Sequence, residues 1–195
     1  MKNYRVNLEV GKFYHIFNHA VSNRRLFKNE ENFEFFLTKC SKYISPITTT
    51  YAYCLIPNHF HFLIQINEAY QDGSPISNPS KHFKDLFSSY TQAFNKFNGE
   101  RGSLFEPRFK RRLIGSKKDL RNTLLYIHLN PLKHKLVKQL LEWKHSSYND
   151  ILNNQESLVK REEAIQLFDD LENFIYVHKQ QIAMKNYDFG FGDLD

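Results

Sequence analysis

The chain has 195 residues, of which 41% are apolar and 15% are aromatic, enough for one domain with a substantial core. The net charge is +6, but residues 1–155 carry a net charge of +11 and residues 156–195 a net charge of −5. A body this basic favours a polyanionic partner, most often nucleic acid, while the two cysteines lack the spacing of a disulfide framework or a zinc site. We expect a cytoplasmic protein that does not enter the membrane, because no segment approaches 18 consecutive apolar residues.

Taken in chain order, the hydrophobic patterns predict six elements. Strands are predicted at residues 12–19, 48–56, 60–66 and 105–114, and helices at 30–44 and 82–97. The order β-α-β-β-α-β is the split β-α-β pattern of ferredoxin-like α+β folds. We therefore predict a four-stranded antiparallel sheet with both helices on one face and the other face free for a site.

Further helices are predicted after the sheet. One covers residues 117–129, a shorter one follows Pro131, and the acidic tail reads as helix over residues 158–185.

Two histidines bracket a phenylalanine at the start of the third predicted strand. Because side chains alternate along a strand, His59 and His61 point to the same face, roughly 7 Å apart, while Phe60 and Phe62 point into the core. Two imidazoles on a rigid strand are suited to holding one metal ion. The alternative is that each histidine forms only local hydrogen bonds on a half-buried sheet.

A tyrosine in the helix at 117–129 lies on a polar face. Asn122, Tyr126 and Asn130 follow at a spacing of four residues, apart from the leucine stripe of the same helix. An asparagine carbonyl oxygen is an acceptable ligand for Mg²⁺ or Mn²⁺. Taken alone, Tyr126 could equally be a buried structural residue.

The densest group of cations surrounds the fourth predicted strand, where Phe105 and Phe109 are interleaved with them. Its members are Arg101, Arg108, Lys110, Arg111, Arg112, Lys117 and Lys118. Cations can contact phosphates and the neighbouring aromatic rings can stack on bases, a combination that suits a groove for single-stranded nucleic acid. The alternative is a solvated charged face.

Five ordered segments together resemble a known family. They are Asn18–Phe27, Pro57–His61, Gly102–Lys110, Tyr126–Pro131, and Trp143 with Ser146-Ser147-Tyr148. The histidine–hydrophobe–histidine segment resembles that of the single-tyrosine HUH endonucleases. The whole set resembles the IS200-like transposases, and especially the REP-associated tyrosine transposases.

The resemblance implies a role for each of these residues. His59, His61 and Asn130 would hold Mg²⁺ or Mn²⁺, and Tyr126 would attack a phosphate of single-stranded or hairpin DNA to give a 5′-phosphotyrosine. The motifs imply a transposase domain over residues 1–150 and leave residues 151–195 as an acidic helical extension. Both a homodimer and a monomer are compatible with the sequence.

Two other functions remain open at this point. One is a hairpin-DNA-binding protein on the same scaffold without catalysis, which would need none of the four site residues. The other is a metal-dependent phosphodiesterase that uses water, in which Tyr126 would be dispensable.

Overall fold

The computed structural model describes residues 6–185, 187 and 189 of the chain. Its elements are β1 Phe13–His19, α1 Glu30–Tyr43, β2 Thr48–Ile56, β3 His59–Ile66, α2 Pro79–Asn98, β4 Lys110–Ile114, α3 Lys117–Lys133, α4 Ser147–Asn153, α5 Arg161–Gln166 and α6 Leu171–Ala183. Short 3₁₀ turns cover Ser45–Ile47 and Leu140–Glu142. None of the helices in this part of the chain is both long and apolar enough to cross a membrane.

The four strands form one antiparallel sheet in the order β2-β3-β1-β4. Strands β1 and β2 lie on either side of β3 and run in the same direction, and α1 connects them. Helix α2 then connects β3 to β4 at the other edge. This is the ferredoxin-like arrangement, so the predicted α+β fold class is confirmed.

One face of the sheet packs against α1 and α2 to form the main core. Phe60 of β3 contacts Phe36 of α1 and Phe87 of α2, with ring centroids 5.3 and 5.6 Å apart. Each helix begins after an asparagine cap: the side chain of Asn29 accepts a hydrogen bond at the start of α1, and that of Asn78 does so at the start of α2.

The opposite face was expected to remain free, but α3 covers it. Helix α3 contacts β2 and β3, and every residue from Thr123 to Pro131 is buried. A helix that is buried on all sides must have packing partners on all sides. The sheet supplies one partner and the C-terminal helices another, so the residues on this face of the sheet belong to the interior.

Helix α3 also runs further than predicted, through Pro131 to Lys133. Proline lacks the N–H that would bond four residues back, so the helix continues through Pro131 without a hydrogen bond to the carbonyl of Ile127. The N–H of His134, which follows the last helical residue, bonds to the carbonyl of Asn130 and caps the helix. Asn130 therefore keeps its helical position one turn after Tyr126.

The acidic C-terminal region forms two helices rather than one. The break between α5 and α6 contains Asp169 with φ +76°, and Asp170 caps α6 by accepting from the N–H of Asn173. Helix α6 packs on α3, where Nε2 of His178 lies 3.0 Å from Nδ1 of His128. The predicted boundary after residue 150 falls within α4, and residues 186, 188 and 190–195 of the predicted extension lie outside the described residues.

Candidate active site

His59 is the first residue of β3, and its ring is fixed from two sides. Oδ1 of Asn58, in the turn before the strand, lies 3.0 Å from Nδ1. Oδ1 of Asn130, on α3, lies 3.1 Å from Nε2. The ring also stacks on that of His19 with centroids 4.9 Å apart. The fold therefore joins His59 and Asn130, which are 71 residues apart in the chain.

His61 lies beside His59 on the same face of β3, with ring centroids 5.0 Å apart. Its Nδ1 is 2.9 Å from Nε2 of His15 on β1, so a metal ion would be held through Nε2 of His61. The common face predicted for the two histidines is confirmed. The prediction that this face is free was wrong, because His59 is 1% and His61 0% exposed beneath α3.

Tyr126 lies against the same histidines. Its ring centroid is 5.4 Å from that of His61 and 5.8 Å from that of His15, in edge-on geometry. Nζ of Lys133, two helical turns later on α3, lies 5.1 Å from the centre of the tyrosine ring. Tyr126 is fully buried. The phenol therefore lies between a pair of imidazoles and a cation, all within the interface of α3 and the sheet.

The donor set, two imidazole nitrogens and one amide oxygen, can hold a divalent cation. Adjacent ligands of an octahedral Mg²⁺ with bonds of about 2.0–2.1 Å are about 3 Å apart, close to the 3.1 Å between His59 Nε2 and Asn130 Oδ1. Two imidazoles and one amide oxygen would leave other positions open, as a catalytic ion requires. The described residues contain no cluster of three or more His, Cys, Asp and Glu side chains suited to a metal, so such a site depends on the amide of Asn130.

Three of the predicted DNA-binding cations are half-buried and make contacts within the protein. The guanidinium of Arg112 bonds to both carboxylate oxygens of Asp119 at 3.0 and 2.9 Å, and to Oγ1 of Thr123 at 2.7 Å. Arg111 points to the opposite face, over the ring of Phe109, and burial lowers the pKa of its guanidinium. Lys110 lies on the site face, with Nζ 5.6 Å from the ring centre of Phe17.

The other four predicted cations, Arg101, Arg108, Lys117 and Lys118, are exposed. Nζ of Lys117 lies 3.6 Å from a carboxylate oxygen of Asp169 in the acidic region. The predicted cluster is therefore not one surface. Arg112 attaches α3 to β4, Arg111 faces α2, and the exposed members remain available to solvent.

The comparisons with known proteins find relatives of one kind. No protein-family model matches the chain. A protein of Haemophilus influenzae named as a REP-associated tyrosine transposase is 32% identical over 103 residues, and the REP-associated tyrosine transposase of Escherichia coli K12 is 29% identical over 98 residues. The chain is similar to REP-associated tyrosine transposases. The family resemblance predicted from the motifs is thereby confirmed.

The extent of these matches differs between sequence and structure. The two alignments cover 51% and 50% of this chain, and the chain spans about half the length of these curated relatives, 58% and 53%. A solved REP-associated tyrosine transposase bound to a REP hairpin has a similar fold, with a TM-score of 0.60 at 20% identity. That similarity covers 81% of this chain and 90% of the other.

Several residues around the site were missed in the sequence, among them His15, His19 and Lys133. His15 lies on the same face of β1 as His19, and the even spacing of the two histidines within a strand was the available signal. Lys133 follows Tyr126 by seven residues, which places both on one side of a helix, but Pro131 concealed the continuity of that helix.

Proposed function

We propose that the protein cleaves and rejoins single-stranded or hairpin DNA through a covalent 5′-phosphotyrosine on Tyr126. The observation that carries the proposal is the single buried cluster formed by Tyr126, His61, His59 and Asn130 between α3 and β3. A protein that only binds DNA needs no such arrangement. The family of its relatives, whose names specify a tyrosine transposase, supports the same chemistry.

The covalent step begins at the hydroxyl of Tyr126. The phenol oxygen loses its proton and forms the bond to phosphorus, the bond from phosphorus to the 3′ oxygen breaks, and the released 3′ oxygen takes up a proton. Because a phenol is a weak nucleophile near neutral pH, a nearby positive charge that favours phenolate is useful. The ammonium of Lys133 above the ring supplies such a charge. The phosphotyrosine can then be attacked by another 3′ hydroxyl, which rejoins a strand.

His59, His61 and Asn130 would hold Mg²⁺ or Mn²⁺. When bound, the ion would act as a Lewis acid at the scissile phosphate and orient it. The protein contributes fixed ligand orientations: Asn58 and His15 bond to the second ring nitrogens of His59 and His61. These contacts leave Nε2 of each imidazole as the nitrogen that would bind the ion.

We infer that the DNA partner is held by the exposed cations around β4. Arg101, Arg108 and Lys118 are exposed, and Lys110 lies on the site face. The relative of known structure is described as bound to a REP hairpin, which favours a hairpin with single-stranded flanks as the substrate. Arg112 is less suited to contact DNA than the other predicted cations, because its guanidinium bonds to Asp119 and Thr123.

The non-catalytic alternative has one observation in its favour, the complete burial of Tyr126. Cleavage requires the phenol oxygen to meet a phosphate, so the side chains around it must move when DNA binds. A binding protein would have no such requirement.

A denaturing gel separates the three functions. Wild-type protein is incubated with Mn²⁺ and labelled hairpins carrying single-stranded flanks of mixed sequence, beside Tyr126→Phe. We expect a covalent adduct with the wild type and none with Tyr126→Phe. Hairpin binding without adduct or cleavage would support the binding protein, and cleavage by Tyr126→Phe would support the water-using phosphodiesterase.

A further inference from the structure

A groove of about 320 Å³ lies on the other side of β1 from the candidate active site. Helix α2 forms one wall and residues 103–109 form the other. Its volume is that of a small-ligand pocket, and both aromatic and polar side chains line it. None of the chemistry proposed for Tyr126 uses this groove.

Three phenylalanines form an aromatic surface in the groove. The ring of Phe87 contacts those of Phe105 and Phe109, with centroids 4.9 and 5.5 Å apart. Phe87 and Phe109 are only half-buried, so parts of their rings remain accessible. Aromatic rings of this kind provide stacking surfaces for unpaired bases.

The wall opposite α2 is held firmly to the end of β1. The N–H of Glu106 donates to the carbonyl of His19 at 2.8 Å, and that of Val21 donates to Leu104 at 3.0 Å. Arg24 adds a hydrogen bond of 2.5 Å to the carbonyl of Ser103. The groove is therefore preformed, which reduces the entropy lost on binding.

A buried amide lines the same groove. Asn18 is 1% exposed, and its Nδ2 donates to the carbonyl of Glu106 at 3.1 Å. Its Oδ1 has no hydrogen-bond partner among the described residues. A buried acceptor in this state is costly, and a donor group on a ligand would satisfy it. Every base has such an N–H group on its pairing edge.

The position of Asn18 connects the groove to the candidate active site. Phe17 and His19, its neighbours in β1, point to the opposite face, where Phe17 stacks on His61 and His19 on His59. Adjacent residues of β1 therefore line the two sites, which lie on opposite faces of the sheet. A DNA strand that passes over this edge of the sheet can occupy both.

Two cations flank the groove. Lys84 on α2 lines it, and Arg108 lies between the lining residues Pro107 and Phe109. Neither forms a hydrogen bond or ion pair with another residue in the part of the chain that the structure describes. Glu106 is the acidic residue of the lining, and its carboxylate is exposed. Two cations beside an aromatic surface match the phosphates and bases of a single strand.

We propose that this groove binds one unpaired base of the DNA strand that reaches Tyr126, stacked on Phe87 and Phe109 with its pairing edge toward Asn18. The inference rests on the proposed function for its choice of DNA as the ligand. It assigns base recognition to the face of the sheet opposite the covalent chemistry.

Photo-cross-linking tests the position of the base. The wild-type protein is irradiated with a single-stranded octamer containing 5-iododeoxyuridine, and the cross-linked peptides are identified by mass spectrometry. We expect cross-links in residues 83–92 or 103–109. Cross-links confined to other segments would overturn the proposal.

An affinity comparison tests the stacking. A dC octamer should bind the wild type roughly 5-fold or more tightly than an abasic octamer of equal charge. Phe109→Leu should remove most of that difference, whereas Phe97→Leu, on the far side of α2 in a different cavity, should keep it. Equal affinities of the two octamers for the wild type, or an unchanged difference in Phe109→Leu, would overturn the groove assignment.

These measurements use EDTA and need no cleavage, so they are independent of the adduct assay. Cross-linking at the groove without any Tyr126 adduct supports base binding and contradicts the proposed catalysis. An adduct on Tyr126 with cross-links only elsewhere contradicts the groove and leaves the catalysis intact.

Discussion

At the residue scale, the candidate site depends on side chains that are far apart in the sequence and meet only in the folded protein. His15 precedes His61 by 46 residues, and Asn130 follows His59 by 71. The motifs predicted His59, His61, Tyr126 and Asn130 because each lies in a short, patterned segment. The contacts of His15 and Lys133 depend on strand pairing and on the exact length of α3, which local patterns do not determine.

The metal-binding role of the histidines is tested by volume-matched substitutions. Because both imidazoles are buried, alanine would leave a cavity, so glutamine is the better replacement. His61→Gln should weaken Mn²⁺ binding, measured by titration calorimetry, by roughly 10-fold or more. His82→Gln is the matched control, because His82 bonds to Tyr70 and Tyr43 away from the site. Equal Mn²⁺ affinities for His61→Gln and the wild type would contradict the metal site.

At the element scale, α3 is the part of the fold that the sequence described least well. The order of strands and the two core helices could be predicted, because each core helix has one apolar stripe and the strands are rich in β-branched and aromatic residues. Helix α3 is buried on all sides, so its pattern gave no single direction for packing. Its position over the sheet depends on tertiary contacts such as the one between Arg112 and Asp119.

The attachment of α3 to β4 can be measured through that ion pair. The Arg112 side chain is 13% exposed, so Asp119→Asn removes the charge of a carboxylate that bonds to a mostly buried guanidinium. We expect the free energy of unfolding in urea to fall by about 1 kcal/mol. Asp85→Asn, which breaks the exposed pair with Lys81, should leave the unfolding midpoint unchanged. A midpoint for Asp119→Asn equal to that of the wild type would show that this pair does not hold the helix.

Helix α6 should make stability depend on pH. Burial lowers the pKa of His178 to about 4, from an ordinary value near 6.5. The unfolded chain therefore binds a proton that the folded chain excludes, and stability is lost as pH falls from about 6.5 to 4. The loss should be about 1.4 kcal/mol per pH unit for this residue. In urea unfolding at pH 6.5 and 5, His178→Gln should show a smaller loss than the wild type, and an equal loss would refute this origin.

At the scale of the whole molecule, the chain divides by net charge into a basic body and an acidic C-terminal region. The sequence predicted this separation and a nucleic-acid partner, but it treated the cations around β4 as one surface. Because side chains alternate along a strand, Arg111 and Arg112 instead lie on opposite faces of the sheet.

The exposed and site-facing cations should determine the salt dependence of DNA binding. If Arg108 and Lys110 each contact a phosphate, replacing both by glutamine should flatten the slope of log K against log salt by roughly 1.4 to 1.8. Lys160→Gln with Lys179→Gln, in the acidic region, removes the same charge and should leave the slope unchanged. Equal slopes for the wild type and the Arg108, Lys110 double variant would show that neither residue contacts phosphate.

Peptide mapping of the trapped protein–DNA adduct tests whether Tyr126 carries the DNA phosphate. Tyr90 and Tyr148 are also buried but lie elsewhere: the hydroxyl of Tyr90 donates to the carbonyl of Leu26, and the ring of Tyr148 packs on His128. After nuclease digestion, mass spectrometry should place the nucleotide on Tyr126, with Tyr90→Phe and Tyr148→Phe still forming the adduct. A nucleotide on any other residue would rule out Tyr126 as the nucleophile.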